Sequence, residues 1–332
     1  MFGKKSYKFV AIGDTVIDAF IRLKEAHITC RLNHAECEIC MKYGEKIPFE
    51  SVEICNAVGN SANAAVSAAR LGLDVGIVTN LGADQNGDDC IAQFKKENVG
   101  TSLITRHKGM KTNYHYVLWY EVDRTILIKH EEYDYKFPDF KAPEWLYLSS
   151  LGNTTFNYHK EIERFLEKNP ETKLVFQPGT FQIRFGAKDL AGIYKRAEVF
   201  FCNKEEAQII LETKENNIKL LMQMIQALGP KIVVLTDGPN GAYALSENRA
   251  YFMPPYPDPK PPYDRTGAGD SYASTFTAAI VLGKSVEDAL RWAGVNSMSV
   301  VQQVGAQKGL LTRTQIEEYL EKAPADYKIK EI

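Results

Sequence analysis

The sequence predicts an α/β fold, with a mostly parallel central sheet, helices on both faces and a small second sheet beside it. Short β-branched or aromatic runs alternate with helix-length amphipathic stretches, the order that builds a parallel sheet through helical crossovers. Two regions break the alternation with strand-rich sequence that lacks intervening helices. The strand-like runs are Lys8 to Gly13, Val75 to Leu81, Leu146 to Leu151, Lys173 to Gln177, Glu198 to Asn203 and Lys231 to Thr236. Between them, Asn60 to Leu71, Tyr158 to Lys168 and Asn217 to Leu228 carry apolar residues at helical spacing, several closed by Gly or Asn-Pro stop signals.

The two exceptional regions are residues 20–55 and 112–135. In the second, Tyr114, Tyr116, Leu118 and Tyr120 alternate with other residue types. Both fit a small antiparallel sheet attached to the main one, either as ordinary edge hairpins or as a lid over an active site, since an exposed sheet rich in Tyr and Trp needs something to cover. From Met253 to Tyr263, six of the 14 prolines form a stiff connector that lacks hydrogen-bond donors. No tandem repeat is visible, which disfavours solenoids and propellers.

The 332 residues are 45% apolar and 25% charged, an ordinary globular composition, and are read as one domain spanning residues 1–332. Forty basic against forty-two acidic residues leave a charge of −2, which gives no field to hold a nucleic acid. No run approaches membrane-spanning length and residues 1–7 lack a secretory stretch, so a cytoplasmic location away from membranes is expected. Six cysteines are too sparse for a disulfide framework and are expected as thiols. Cys30, Cys37 and Cys40 with His34 hint at zinc, but the second Cys-x-x-Cys pair is absent.

The most informative segment, residues 264–283, reads DRTGAGDSYASTFTAAIVLG. Gly267, Ala268 and Gly269 carry little or no side chain, and an apolar helical stretch from Tyr272 to Leu282 follows, so the N–H groups at that helix start lie bare. Bare amides at the positive end of a helix dipole stabilise charge developing on a transferring phosphoryl group. Asp270 stands beside them, where a carboxylate can accept the proton of an attacking hydroxyl. The same residues also fit a glycine turn with Asp270 capping the helix. A dinucleotide fingerprint fails because Tyr272 occupies its third glycine position, and no P-loop sequence occurs.

Four other segments bear on the choice. VGNSANAAVSAARLG spans Val58 to Gly72, and AIGDTVIDAF places Asp18 five residues after Gly13 at the end of the first strand. NKEE covers Asn203 to Glu206, and LTDGPNG covers Leu235 to Gly241. With the 264–283 segment, these resemble in order the signatures of the ribokinase (PfkB) family of carbohydrate and nucleoside kinases. The resemblance implies a ribokinase-like three-layer α/β/α sandwich with a small β-sheet lid. It also implies transfer of the γ-phosphoryl of ATP, with Mg²⁺, to a hydroxymethyl group of a sugar.

By the same resemblance Asp270 is the general base and Gly267, Ala268 and Gly269 belong to the anion hole. Asp18, Gly59, Asn60 and Asn63 hold the acceptor, with Asp18 suited to clamp a vicinal diol or, alternatively, to end a strand. Asn60 equally fits a helix cap. Asn203, Glu206, Thr236, Gly238 and Gly241 serve the nucleotide, and Glu206 serves Mg²⁺ through water. Asp264 and Thr266, with Gly305, match a monovalent-cation site that would take K⁺, or else form a turn. Val58, Arg265 and Thr275 depart from the family pattern. A nucleoside acceptor remains open, since Tyr114, Tyr116 and Trp119 can stack on a nucleobase. So does a non-catalytic sugar- and nucleotide-binding regulator, against which the presence of Asp270 argues. A homodimer through the lid fits its aromatic content.

Overall fold

The computed structural model describes residues 6–30, 37–121 and 123–332. At the centre of its main sheet, β1 (Phe9–Ile12) lies between β6 (Val75–Gly82) and β10 (Trp145–Leu148). β7 (Ile104–His107) flanks β6, and β11 (Lys173–Phe176), β12 (Ala197–Asn203) and β13 (Ile232–Thr236) continue beyond β10, every one of these neighbours parallel. β14 (Ala242–Ser246), β15 (Arg249–Met253) and β16 (Lys330–Glu331) extend the sheet antiparallel to ten strands.

Helices cover both faces, because successive strand residues point to opposite sides. Phe9 and Ala11 enter one core with α1 (Asn60–Arg70), α2 (Gln85–Lys96), α8 (Ala268–Val281), α9 (Val286–Val300) and α10 (Arg313–Glu321). Val10 and Ile12 enter the other with α3 (Phe156–Lys168), α4 (Thr180–Phe185), α5 (Ala191–Arg196), α6 (Lys204–Ile210) and α7 (Ile218–Gln226). The small residues of α1 and α8 let these two helices pack closely, with Ser67 Oγ 3.5 Å from Thr275 Oγ1. Phe276 of α8 is fully buried and meets Phe201 of β12 edge-on at 5.5 Å. Burial of a ring this size contributes about 1.5–3 kcal/mol, and it pins the middle of α8 against the sheet.

β2 (Val16–Leu23), β5 (Phe49–Val58), β8 (Tyr114–Tyr120) and β9 (Asp123–Leu127) form a separate sheet in the order β5-β2-β8-β9. Its outer pairs are antiparallel, but β2 and β8 run parallel, which corrects the expectation of an antiparallel sheet. The reason lies in the connections. β2 leaves the end of β1 and β8 follows the end of β7, so both depart from the carboxyl edge of the main sheet, joined there by Ile17 N–H donating to the Asn113 carbonyl. The sheet also begins at Val16 rather than at residue 20.

β3 (His27–Cys30) and β4 (Cys37–Cys40) make a hairpin in which Cys30 and Cys37 are registered partners, their Cα atoms 4.1 Å apart, and form a disulfide. This corrects the expectation of thiols throughout; Cys40, Cys55, Cys90 and Cys202 are free. His34 lies outside the described residues. Among those described, no group of three or more His, Cys, Asp or Glu is placed to hold a metal, and no helix is long and apolar enough to cross a membrane.

Candidate active site

In open parallel sheets the crevice at the carboxyl ends of the strands collects functional groups, and here it collects nearly every residue singled out by the sequence. α8 starts at Gly267, which adopts left-handed geometry at φ 78°. The Ala268 N–H reaches back to the Arg265 carbonyl at 3.4 Å, and the next helical bond is Ser271 N–H to Gly267 at 2.8 Å. Among the described residues, the N–H groups of Gly269 and Asp270 have no acceptor. Two bare amides therefore lie beside the Asp270 carboxylate.

That carboxylate is held by three side-chain amides. Asn60 Nδ2 (2.8 Å) and Gln177 Nε2 (3.0 Å) donate to Oδ1, and Asn63 Nδ2 (2.8 Å) donates to Oδ2. The orientation of two donors is itself fixed. Gln307, anchored on the Ala57 carbonyl at 2.7 Å, donates to Asn63 Oδ1 at 3.0 Å, and the Tyr147 hydroxyl donates to Gln177 Oε1. Burial pushes the Asp270 carboxyl above the usual aspartate range against the pull of these donors, and the charge of Asp18 adds to the rise. Asn60 does not cap its helix. Gly59 is the N-cap of α1 at φ 109°, with no side-chain cap bond.

Asp18 stands in β2 of the small sheet, not at the end of the first strand, and its Oδ1 lies 3.4 Å from Nδ1 of His115, its registered partner on β8. On β8, alternate residues face opposite ways: His115, Val117 and Trp119 are buried, whereas Tyr114 and Tyr116 take the other face. The two tyrosines therefore point away from Asp18. Trp119 is buried with Phe20, Val117 and Val304, and the Arg22 guanidinium lies 4.3 Å over its ring. The nucleobase reading thus loses the aromatic rings that suggested it.

On the other side of Asp270 lies a cleft of about 320 Å³, lined by Thr236, Gly238, Gly241, Met298, Ala268 and Gly269 among others. Arg265 lines it too, beside Asp258. Asn203 caps α6: its Oδ1 accepts from Glu206 N–H at 2.7 Å, and its own N–H donates to Glu206 Oε2 at 2.9 Å. Burial raises the Glu206 carboxyl above its usual range, and the charge of Asp270 adds to this. A divalent cation would relieve this repulsion, and Glu206 is the carboxylate that would hold Mg²⁺, through water.

Asp264, Thr266 and Gly305 meet, but they satisfy one another. The buried Asp264 carboxylate accepts from Thr266 N–H (2.9 Å) and hydroxyl (2.6 Å) at Oδ1, and from Gly305 N–H (2.8 Å) at Oδ2. The arrangement ties the connector to the carboxy-terminal segment. Gln177, Tyr147, Gln307, Asp14 and His115 were not picked out by sequence spacing. The available signal for Gln177 and Asp14 was position, since each follows closely on the carboxyl end of a parallel strand.

Residues 25–313 match the family model described as pfkB family carbohydrate kinase. The ribokinase of Bacillus subtilis (strain 168) is 26% identical over 272 residues, covering 79% of this chain and 87% of that protein. The 5-dehydro-2-deoxygluconokinase of Clostridium perfringens (strain 13 / Type A) is 24% identical over 293 residues, with coverages of 81% and 85%. Among solved structures, Arabidopsis thaliana ribokinase complexed with ribose and ATP aligns at a TM-score of 0.78 and 18% identity, over 96% of this chain and 99% of that one. Methanocaldococcus jannaschii nucleoside kinase aligns at 0.75 and 18%, over 96% and 99%. At such identities these structures establish the fold.

Proposed function

The chain belongs to the pfkB family of carbohydrate kinases, and on that premise we propose that it transfers the γ-phosphoryl of ATP to a hydroxymethyl group of a sugar, with Asp270 as general base. One observation carries the reading: a half-buried carboxylate, within electrostatic reach of Asp18, lies next to the unpaired N–H groups of Gly269 and Asp270 that border the 320 Å³ cleft. The cleft takes ATP, with its terminal phosphate on the two amides. Asp18 accepts hydroxyl hydrogens of the acceptor, and Asn60 and Asn63, in the first turn of α1, take part in holding it beside Asp270.

Asp270 removes the proton of the attacking hydroxyl while the amides stabilise charge on the phosphoryl oxygens, without reorganising as the reaction proceeds. Mg²⁺, when bound, neutralises charge on the phosphates. Glu206 holds it through water, so Glu206→Gln, which keeps the capping geometry, is expected to weaken Mg²⁺ activation 10–100-fold in a titration of rate against Mg²⁺. An unchanged titration would remove Glu206 from that role.

The main test is a panel of sugars and nucleosides assayed for ADP release and for ligand-induced thermal shift. ADP release with a sugar is the expected result. Thermal shifts with no ADP release across the panel would instead support a non-catalytic binding protein.

We extend the proposal to the small sheet as a lid that brings Asp18 to the acceptor and pairs with a second copy. Its outer face carries Ile54, Ala19, Tyr116 and Leu127 in one registered row, and Ile54, Tyr116 and Leu127 are exposed. Such a row fits a self-complementary surface. Light scattering is expected to give twice the chain mass, and Ile54→Asp with Tyr116→Asp to give a monomer. A wild-type monomer at assay concentrations would refute the pairing.

A further inference from the structure

Beyond the residues assigned so far, a run of buried polar groups leads away from Asp18 without full partners. Asp14, which follows β1, is 4% exposed; its Oδ1 accepts from the Tyr135 hydroxyl at 2.7 Å, while Oδ2 has no hydrogen-bond partner and lies 3.4 Å from His130 Nδ1. The His130 and His115 rings are 5.2 Å apart, and His115 in turn adjoins Asp18. His130 Nδ1, His115 Nε2 and Asp18 Oδ1 are likewise buried without a hydrogen-bond partner. Buried polar atoms are almost always satisfied, so four orphans in one row mark a place where a ligand completes the bonding.

Gly152 packs against the end of this row. A Cβ there would stand 3.4 Å from Asp14 Oδ2 and 3.5 Å from the Tyr135 hydroxyl. The main chain of Asp14 meanwhile lies against the start of α1, where Ser61 Oγ approaches its carbonyl at 3.4 Å. The row therefore belongs to the same crevice as Asn60 and Asn63. Among the described residues, no Lys or Arg pairs with Asp14, Asp18 or Asp270, and the imidazoles of His130 and His115 are the basic groups that face the first two. Three carboxylates against two imidazoles and no permanent cation attract hydroxyl donors and disfavour an anion.

We propose that Asp14, backed by Tyr135 and His130, is a second acceptor-binding carboxylate. Together with Asp18 it selects an uncharged polyhydroxylated acceptor, a neutral sugar or cyclic polyol, over a sugar acid. The fate of that acceptor rests on the kinase reading above, but its binding does not. Asp14 Oδ2 and Asp18 Oδ1 each take a hydroxyl hydrogen, and the imidazoles of His130 and His115 complete the bonding of the same hydroxyls.

The test is calorimetric titration of the full-length protein with D-ribose, D-fructose, myo-inositol, 2-dehydro-3-deoxygluconate and 5-dehydro-2-deoxygluconate, with ADP release followed in parallel. At least one neutral compound is expected to bind tenfold or more tightly than either acid. Asp14→Asn is expected to weaken that binding 10–100-fold, the loss that follows removal of a charged hydrogen-bond partner, and to raise acceptor KM far more than it lowers kcat. Gly152→Ala, which fits at ordinary contact distance, is expected to weaken binding severalfold with Tm unchanged, so the inference survives an Asp14 variant that fails to fold. Tighter binding of an acid, no binding of any neutral compound, or wild-type affinity in both variants would overturn it. Binding that depends on Asp14 but yields no ADP would count against the kinase reading and leave this assignment standing.

Discussion

Asp270→Asn is expected to lower kcat by roughly 10²–10⁴, the span for loss of a positioned base, with acceptor KM changed much less. The site leaves an amide little room to imitate the carboxylate. Two donors, Asn60 and Gln177, converge on Oδ1, so the asparagine oxygen would take that place and turn its NH₂ toward Asn63 Nδ2. Asn63 cannot flip freely to receive it, because Gln307 holds its Oδ1. Stability is pulled in both directions.

A carboxyl whose folded pKa is raised is a burden on the fold above that pKa, and the burden disappears below the ordinary aspartate value. At neutral pH, then, the neutral asparagine removes a cost while the clash with Asn63 adds one. Tm should move little while turnover collapses. The same upward shift fixes the sign of the pH profile. The base is lost as pH falls through its raised pKa, so the acid limb of kcat/KM should lie above the usual aspartate range and be missing from the residual activity of the variant. Wild-type kcat in Asp270→Asn would end the assignment of the base.

The sequence makes some of this visible and hides the rest for a physical reason. Gly267 to Asp270, Asn203 to Glu206 and Gly238 to Gly241 are local devices, in which a cap, a turn or a bare helix start is set by residues a few positions apart. Spacing exposes them. Gln177, Tyr147 and Gln307 act across 93, 30 and 244 residues of separation from their partners Asp270, Gln177 and Asn63. Only the assembled sheet makes them neighbours. The parallel pairing of β2 with β8 is hidden similarly, since alternation marks both as strands but the direction of pairing depends on where each leaves the main sheet. Asp14 stands inside AIGDTVIDAF, but a lone carboxylate in a turn has no periodic signature. Its meaning comes from His130 and Tyr135, brought to it by the chain that follows β9.

Gly267→Ala should damage both fold and chemistry, and its contrast with Gly269→Ala separates the two effects. At φ 78° residue 267 sits in left-handed geometry, which costs a residue with a side chain about 1–2 kcal/mol. A Cβ there would also lie 2.2 Å from the Ala306 Cβ and 2.6 Å from its Cα, so the neighbouring main chain must move. Overpacking of this kind adds about 1–3 kcal/mol. Together these predict a loss of about 2–5 kcal/mol and a Tm lower by roughly 3–7 °C.

The strain falls on a sensitive neighbour. Ala306 lies between Gly305, which donates to Asp264, and Gln307, which orients Asn63 toward Asp270. Shifting it also tilts the first turn of α8, and kcat should fall a further 10²–10³, as when one donor of an anion hole is lost. Gly269 has nothing within 4 Å of its missing Cβ and no left-handed geometry. Gly269→Ala should therefore hold or slightly raise Tm, because alanine favours the helix by about 1 kcal/mol, yet crowd the surface on which the terminal phosphate lies and raise the KM for ATP. An unchanged Tm in Gly267→Ala would refute the strain argument. Unchanged ATP kinetics in Gly269→Ala together with unchanged kcat in Gly267→Ala would show that the start of α8 does not cradle the transferred group.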